Sequence, residues 1–194
     1  QCAVKVLHSA MLSDPASIPR FQREAKAAAR IRHQNAISVN DFGITSDNIV
    51  YLVMEYFPGR SLREIMRADG AFSVERTARI VDRVSAALDA AHQQGIVHRD
   101  VKPDNVMLRV LPNGDDEVKV LDFGIAKIVQ GTTREGTDET GTPLYMAPEQ
   151  TSKGQEIGPA TDIWALGIVA YECLVGTPYW RAGSIAEFYR ELLF

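Results

Sequence analysis

Eight consecutive residues, His98-Arg99-Asp100-Val101-Lys102-Pro103-Asp104-Asn105, constrain this 194-residue chain more than any other stretch of it. A second string, Asp122-Phe123-Gly124, begins 17 residues after Asn105. Between them two short apolar runs, Val106 to Val110 and Glu117 to Leu121, flank Pro112-Asn113-Gly114-Asp115-Asp116. Runs of that length around an Asn-Gly turn signal predict an antiparallel hairpin, with the acidic tip a solvated turn. A hairpin brings its two ends together, so Asn105 before the first strand and Asp122 after the second approach one point, with Asp100 beside them. Oxygen ligands of this type suit Mg²⁺, which fills the rest of its shell with water and phosphate oxygens. Lys102, two residues beyond Asp100, can reach a phosphoryl group as a point charge. Five fixed positions in the first string, at about one in twenty each, coincide by chance roughly once in three million starts.

The surrounding chain supplies a frame for that hairpin. Residues 3 to 7 alternate like a strand. Pro19 then marks a helix start, and Phe21, Ala25, Ala28 and Ile31 fall on one face of a helix running to about Arg32. Ile37 to Gly43 and Val50 to Tyr56 are short apolar runs joined through Thr45-Ser46-Asp47-Asn48, a further hairpin signal. Phe57-Pro58-Gly59 breaks the strand pattern, and Ser61 with Glu64 forms a capping box opening a short helix. A longer helix follows Ser73, with Ile80, Val84, Leu88 and Ala91 as its apolar stripe, flanked by Val81 and Ala87, and stops at Gly95. Residues 124 to 148 are rich in Gly and Thr without periodicity, so they read as a long loop of the functional kind. An apolar helix from Asp162 to Val175, closed by Gly176, and an amphipathic one from Ser184 to Phe194 complete the reading.

Composition excludes several classes. Twenty-one Lys and Arg against 25 Asp and Glu leave a net charge of -4, which offers no basic face for nucleic acid or an anionic membrane. Cys2 and Cys173 lie far apart with no metal-ligand spacing, which points to a reducing compartment and no structural metal. The expected location of this segment is cytoplasmic, with a membrane anchor elsewhere in the full-length protein left open. The most apolar stretch, Ile163 to Gly176, is shorter than the roughly 20 residues of a membrane span and carries Glu172 in its middle, so no membrane contact is expected within this segment.

The two strings resemble the signature set of the protein kinase family, in its eukaryotic-like (Hanks-type) serine/threonine branch. The resemblance implies ATP as phosphoryl donor, Mg²⁺ (or Mn²⁺) as cofactor, and proteins as acceptors. It implies Asp100 as the group accepting the acceptor hydroxyl's proton, Lys102 as neutraliser of charge on the transferred group, and Asn105 and Asp122 as metal ligands. Cys2-Ala3-Val4-Lys5 resembles the family's third-strand motif, making Lys5 the grip on the α- and β-phosphates. Glu24, in Arg23-Glu24-Ala25, is its implied ion-pair partner in the active state. Met54-Glu55-Tyr56-Phe57 resembles the hinge, with Met54 as gatekeeper, the backbone of Glu55 and Phe57 meeting adenine, Ala3 as roof and Met107 as floor. Lys102 and the run Gly141 to Glu149 resemble the serine/threonine-directed members, and the Ala-rich Glu24 helix with the run Gly141 to Gln150 looks most like bacterial receptor-type kinases. Thr137 and then Thr140 are the candidate autophosphorylation sites, whose phosphate would pair with Arg99, with a homodimer as the implied route. Asp162, in Asp162-Ile163-Trp164-Ala165-Leu166-Gly167, is the implied anchor of the catalytic-loop backbone.

The implied fold is α+β and two-lobed. Residues 1–57 would be a partial N-lobe, an antiparallel sheet lacking its first two strands plus one helix. Residues 58–194 would be a partial, mainly helical C-lobe lacking its last helices, and ATP would bind in the crevice between the two lobes. No Gly-rich GxGxxG string occurs in the chain, and Glu149 is expected to lack its family Arg partner, with an apolar surface left exposed. The expectation is a fragment that is inactive by itself, from a longer, active enzyme. Two alternatives stay open: a non-catalytic nucleotide-binding scaffold, and a small-molecule phosphotransferase sharing the Asp-Asn-Asp arrangement.

Overall fold

Strand β1 (Cys2–Leu7) alternates outward and inward and pairs antiparallel with β3 (Val50–Glu55), which pairs antiparallel with β2 (Val39–Ile44), giving the order β1-β3-β2. The structure, a computed structural model, describes residues 1–7, 17–47, 49–123, 144–151, 154–182 and 184–193. In the register of β1 and β3, Ala3 faces Met54 and Lys5 faces Leu52. Helix α1 (Ser17–Ala28) buries Phe21, Ala25 and Ala28, the stripe its spacing predicts, among core residues that include Val39, Val50 and Leu52. It ends at Ala28, about one helical turn before the expected Arg32, because the N–H groups of Arg30 and Ile31 bond three residues back, to the Ala27 and Ala28 carbonyls.

The chain leaves the first sheet through Phe57-Pro58-Gly59. Gly59 is required there: a Cβ would stand 2.5 Å from the Leu108 carbonyl oxygen and 2.6 Å from the Phe57 ring. The two-residue β4 (Arg60–Ser61), which sequence patterning did not reveal, then pairs with β5 (Val106–Val110), and β5 pairs with β6 (Asp116–Val120). The expected catalytic hairpin is thus the larger part of a second sheet, β4-β5-β6.

Helix α2 (Leu62–Asp69) opens on the expected capping box, with the Ser61 hydroxyl accepting from the Glu64 N–H and the Glu64 carboxylate accepting from the Ser61 N–H at 2.8 Å. Helix α3 (Val74–His92), capped by Ser73, buries Ile80, Val84, Ala87, Leu88 and Ala91. It packs along α5 (Pro159–Val175), which contributes Ala165, Leu166, Val169 and Cys173 to the same core. Each such large aliphatic side chain contributes about 1.5–3 kcal/mol by burial. Gly176, at φ 77°, closes α5 in the left-handed conformation that suits glycine, and its N–H bonds to the Glu172 carbonyl. A short α4 (Pro148–Thr151) and the terminal α6 (Ile185–Leu193) complete the described elements.

The two sheets meet in the backbone. Ile37 N–H donates to Val120 O at 2.9 Å, Val120 N–H to Asn35 O at 2.8 Å, and the Asn35 amide to Val118 O at 3.0 Å. A sheet-plus-helix half and a mainly helical half therefore face each other across Met54–Gly59, the two-lobed α+β arrangement. On α5, Ile163, Trp164, Tyr171, Leu174 and Val175 remain exposed, as do Val4 and Val6 on β1. Among the described residues no helix is long and apolar enough to cross a membrane.

Candidate active site

One buried carboxylate sets the course of the catalytic string. Asp162, fully buried in the first turn of α5, accepts from the N–H groups of His98 (2.8 Å) and Arg99 (2.7 Å) and lies 2.7 Å from His92 Nε2 at the end of α3. These bonds hold Arg99 at φ 69°, a left-handed conformation that costs a residue with a side chain about 1–3 kcal/mol. His98, also fully buried, faces the Leu121 carbonyl oxygen with Nε2 at 2.7 Å, while its Nδ1 accepts from the Asp100 N–H at 3.2 Å. That pair of partners requires the ring hydrogen on Nε2. The His98 ring stands edge-on to Phe123 with centroids 4.9 Å apart, so one imidazole ties the first string to the second.

Around Asp100 the structure brings together three of the sequence-derived residues. The Asn105 amide donates to the Asp100 carbonyl oxygen at 2.7 Å and to its Oδ2 at 2.9 Å. Lys102 Nζ lies 2.8 Å from Oδ2 and 3.1 Å from Oδ1. The carboxylate is about one-third exposed, so an incoming hydroxyl can reach it. Leu121 N–H donates to the Asn105 carbonyl, closing the hairpin base and placing Asp122 next in the chain, at φ 61°. With its NH₂ engaged by Asp100, Asn105 keeps Oδ1 as an acceptor, and together with the Asp122 carboxylate it forms an oxygen donor set that fits a hard divalent cation. No cluster of three or more His, Cys, Asp or Glu side chains occurs among the described residues, so such an ion would draw the rest of its shell from phosphate and water.

Lys5 reaches Asp122, with Nζ 2.7 Å from Oδ2. The implied Lys5–Glu24 pair is not made: Glu24 instead lies 3.7 Å from Arg23, its neighbour on α1. Lys5 thus has a carboxylate partner from the second string rather than from the helix.

On the adenine side Ala3 and Met54 are register partners, and Met107 lies on β5 opposite Lys119. The Glu55 N–H donates to the Ser38 carbonyl oxygen and the Phe57 carbonyl accepts from Gly59. The Glu55 carbonyl and the Phe57 N–H are therefore the hinge groups that these bonds do not use. The Glu55 carboxylate pairs with Lys119 at 3.0 Å, a second tie between the two sheets. Ile37, Val39, Leu52 and Met54 line a small apolar pocket whose other wall is Asp122 and Phe123.

Thr137 and Thr140 lie outside the described residues, as does Gly124. The described chain resumes at Leu144, whose carbonyl oxygen accepts from Trp180 Nε1 at 2.7 Å. Gln150 donates its amide to the Arg99 carbonyl oxygen at 3.1 Å, holding this segment against the catalytic loop. The Glu149 carboxylate accepts from the buried Thr161 hydroxyl at 2.6 Å.

Arg63 on α2 went unnoticed in the sequence. Its guanidinium meets the Tyr145 hydroxyl, Glu172 at 3.2 Å and Asp104 at 3.4 Å. Burial works against its charge, but the hydrogen bond with Tyr145 and the charges of Glu172 and Asp104 outweigh it and raise the Arg63 pKa. Burial, followed by the hydrogen bond to Glu172 at 2.6 Å, pushes the Tyr145 phenol above its ordinary range. The Glu172 carboxylate midway along an apolar stretch was the available signal, since a buried charge demands a partner.

Comparison with known proteins gives the same reading. The family model for the protein kinase domain matches residues 1–193. The chain is 42% identical over 191 residues to serine/threonine-protein kinase pkn3 of Myxococcus xanthus, covering 95% of this chain and 35% of that protein. It is 39% identical over 181 residues to PknB of Mycobacterium leprae, covering 91% of this chain and 28% of the relative. The crystal structure of the Mycobacterium tuberculosis PknI kinase domain superposes with a TM-score of 0.73 at 32% identity, over 98% of this chain and 72% of the other. The chain spans about a third of the length of these curated relatives. With the match covering nearly every residue, and Asp100, Lys102 and Asn105 gathered around one carboxylate, the chain belongs to the protein kinase domain family.

Proposed function

We propose that this chain is the catalytic core of a serine/threonine protein kinase, transferring the ATP γ-phosphoryl group to protein hydroxyls. The observation that carries the reading is the Asp100 carboxylate, reachable from solvent yet fixed by Asn105 and Lys102 on a backbone anchored to Asp162. The acceptor oxygen attacks the γ-phosphorus, its proton passes to Asp100, and the bond to the β,γ-bridging oxygen breaks with its electron pair leaving on ADP. Lys102, 2.8 Å from Asp100, stands where it can also neutralise the equatorial oxygens of the transferred group. Lys5 grips the α- and β-phosphates when it exchanges Asp122 for nucleotide. Mg²⁺, or Mn²⁺, held by Asn105 and Asp122, would supply further charge neutralisation. Ala3, Met54, Met107 and the backbone of Glu55 and Phe57 enclose adenine, and Glu24 becomes the Lys5 partner in the active state.

Residues 1–57 and 58–194 are the two lobes of one domain in this reading, acting in the cytoplasm. The stretch 124–148 autophosphorylates at Thr137 or Thr140 within a transient homodimer. Arg99 supports that assignment: its Nε is buried with no hydrogen-bond partner among the described residues, leaving it available to a phosphate. A non-catalytic nucleotide-binding scaffold has one observation in its favour, the engagement of Lys5 by Asp122 rather than by Glu24.

The test is to incubate the full-length protein with Mg²⁺-ATP and a generic basic protein, then map phosphate by mass spectrometry. Phosphoserine or phosphothreonine on the acceptor, with Thr137 or Thr140 modified on the kinase, is expected. Phosphotyrosine alone would overturn the acceptor assignment, and no transfer with nucleotide bound would establish the scaffold.

A further inference from the structure

Glu172 is 1% exposed, on a helix whose one other charge is Asp162 in its first turn, and its Oε1 lacks a partner among the described residues. A carboxylate so placed is tolerated only where cations and donors surround it. Two groups do so. The Tyr145 hydroxyl donates to Oε2 at 2.6 Å, and Arg63 Nη1 lies 3.2 Å from the same oxygen. The Arg63 guanidinium then extends to Tyr145 itself and, through Nε, to Asp104 at 3.4 Å. Its plane also lies over the Tyr145 ring, 5.7 Å from the centroid.

These partners belong to four different parts of the fold. Arg63 is on α2, Asp104 is in the 3-10 turn Pro103–Asn105, Tyr145 is near the end of the stretch 124–148, and Glu172 is on α5. Tyr145 sits in the stretch whose Gln150 is bonded to the Arg99 carbonyl beside Asp100, so it flanks the place where an acceptor chain must lie. A planar guanidinium spreads five donors over three nitrogens and so reaches three separated partners in one rigid frame, whereas an ammonium offers its three donors from a single point. The frame touches neither Lys5 nor the hinge.

Resting on the kinase reading above, we propose that Arg63 is a positioning residue for the protein acceptor. It fixes Tyr145 and the catalytic-loop turn at Asp104 to the buried Glu172, so that the acceptor hydroxyl meets Asp100 in attacking geometry. A small misplacement of reacting groups lowers turnover steeply, so loss of this frame is read in acceptor kinetics and not in nucleotide binding.

The test compares the full-length wild-type protein with Arg63→Lys and Arg63→Ala, using a serine-containing basic peptide and Mg²⁺-ATP. Arg63→Lys keeps a cation beside Glu172 and protects the fold, while Arg63→Ala removes it. Both are expected to raise KM for the peptide or lower kcat by about tenfold, with KM for ATP within about twofold of wild type. Peptide kinetics unchanged in Arg63→Lys would overturn the proposal, as would equal losses toward peptide and ATP that follow the urea midpoint, the signature of a merely structural pair. Absence of transfer by the wild-type protein would instead overturn the kinase reading, and this proposal with it.

Discussion

The Lys5 ammonium rests 2.7 Å from Asp122 Oδ2, joining the first sheet to the residue that follows the catalytic hairpin. In the proposed kinase reading both partners have work elsewhere, the lysine on phosphate oxygens and the carboxylate on a cation. With side chains 39% and 19% exposed, the pair is worth about 0–1 kcal/mol, so exchange for nucleotide and metal costs little.

Asp122→Asn therefore separates two effects. Without divalent metal, removing the carboxylate releases Lys5 and lifts repulsion of the phosphates, so ATP should bind roughly two- to fivefold more tightly than to wild type. With Mg²⁺ present, the tightening that metal gives the wild type should be largely lost. Calorimetric titration with and without EDTA measures both, and a variant that still responds fully to Mg²⁺ would remove Asp122 from the metal site.

The fully buried Asp162 accepts two backbone N–H groups and faces His92. Asp162→Ala leaves those donors unsatisfied in a buried site, a loss of about 3–5 kcal/mol. Urea unfolding should show it as a lowered midpoint, accompanied by loss of activity as Arg99 and Asp100 lose their anchor. A loss below about 1 kcal/mol would show that the catalytic loop holds its course by other means.

The strands and helices were legible because their signals are local. Period-2 runs gave β1, β3, β5 and β6 to within a residue or so at each end, and Ser61 with Glu64 located the start of α2 from side-chain chemistry alone. The gathering of Asp100, Lys102 and Asn105 was legible for the same reason: all three lie within six residues, so loop geometry delivers them together. Contacts made by tertiary packing were not. Lys5 is 117 residues from Asp122 and 19 from Glu24, and nothing local decides which carboxylate it meets. Arg63, Tyr145 and Glu172 come from three distant segments, and only the oddity of a charge in an apolar helix hinted at them. The two-residue β4 is too short to carry a periodicity.

The two cysteines should differ sharply in reactivity. Cys173 is fully buried, and burial first, then the neighbouring Glu172 charge, pushes its thiol up to about 12, whereas Cys2 is exposed. Brief alkylation of the native protein at mildly alkaline pH, followed by peptide mapping, should label Cys2 and spare Cys173 until denaturant is added. Equal labelling in the native state would mean that the α3–α5 core opens readily.

The capping box at the start of α2 carries a pH signature. The Ser61 N–H, then its hydroxyl, lowers the Glu64 pKa from 4.5, against a small opposing effect of burial, with Arg60 and Arg67 assisting. A depressed folded-state value means that this contribution is complete above pH 4.5 and fades as pH falls through the lower, folded value. Glu64→Gln keeps an acceptor without the charge, so the wild type should be the more stable at neutral pH and lose that margin in acid. Urea midpoints of both proteins across that range decide it, and a margin that is constant with pH would contradict the ionic character of the cap.

The most direct test of the account is transfer of labelled γ-phosphate by the full-length protein beside its Asp100→Asn variant, with nucleotide binding measured on both. Removing a general base lowers turnover by about 10²–10⁴-fold. The account predicts serine or threonine phosphorylation by the wild type, a loss of that size in Asp100→Asn, and ATP affinity unchanged between them. Transfer that persists undiminished in the variant, or wild-type protein that binds nucleotide and transfers nothing, would contradict it.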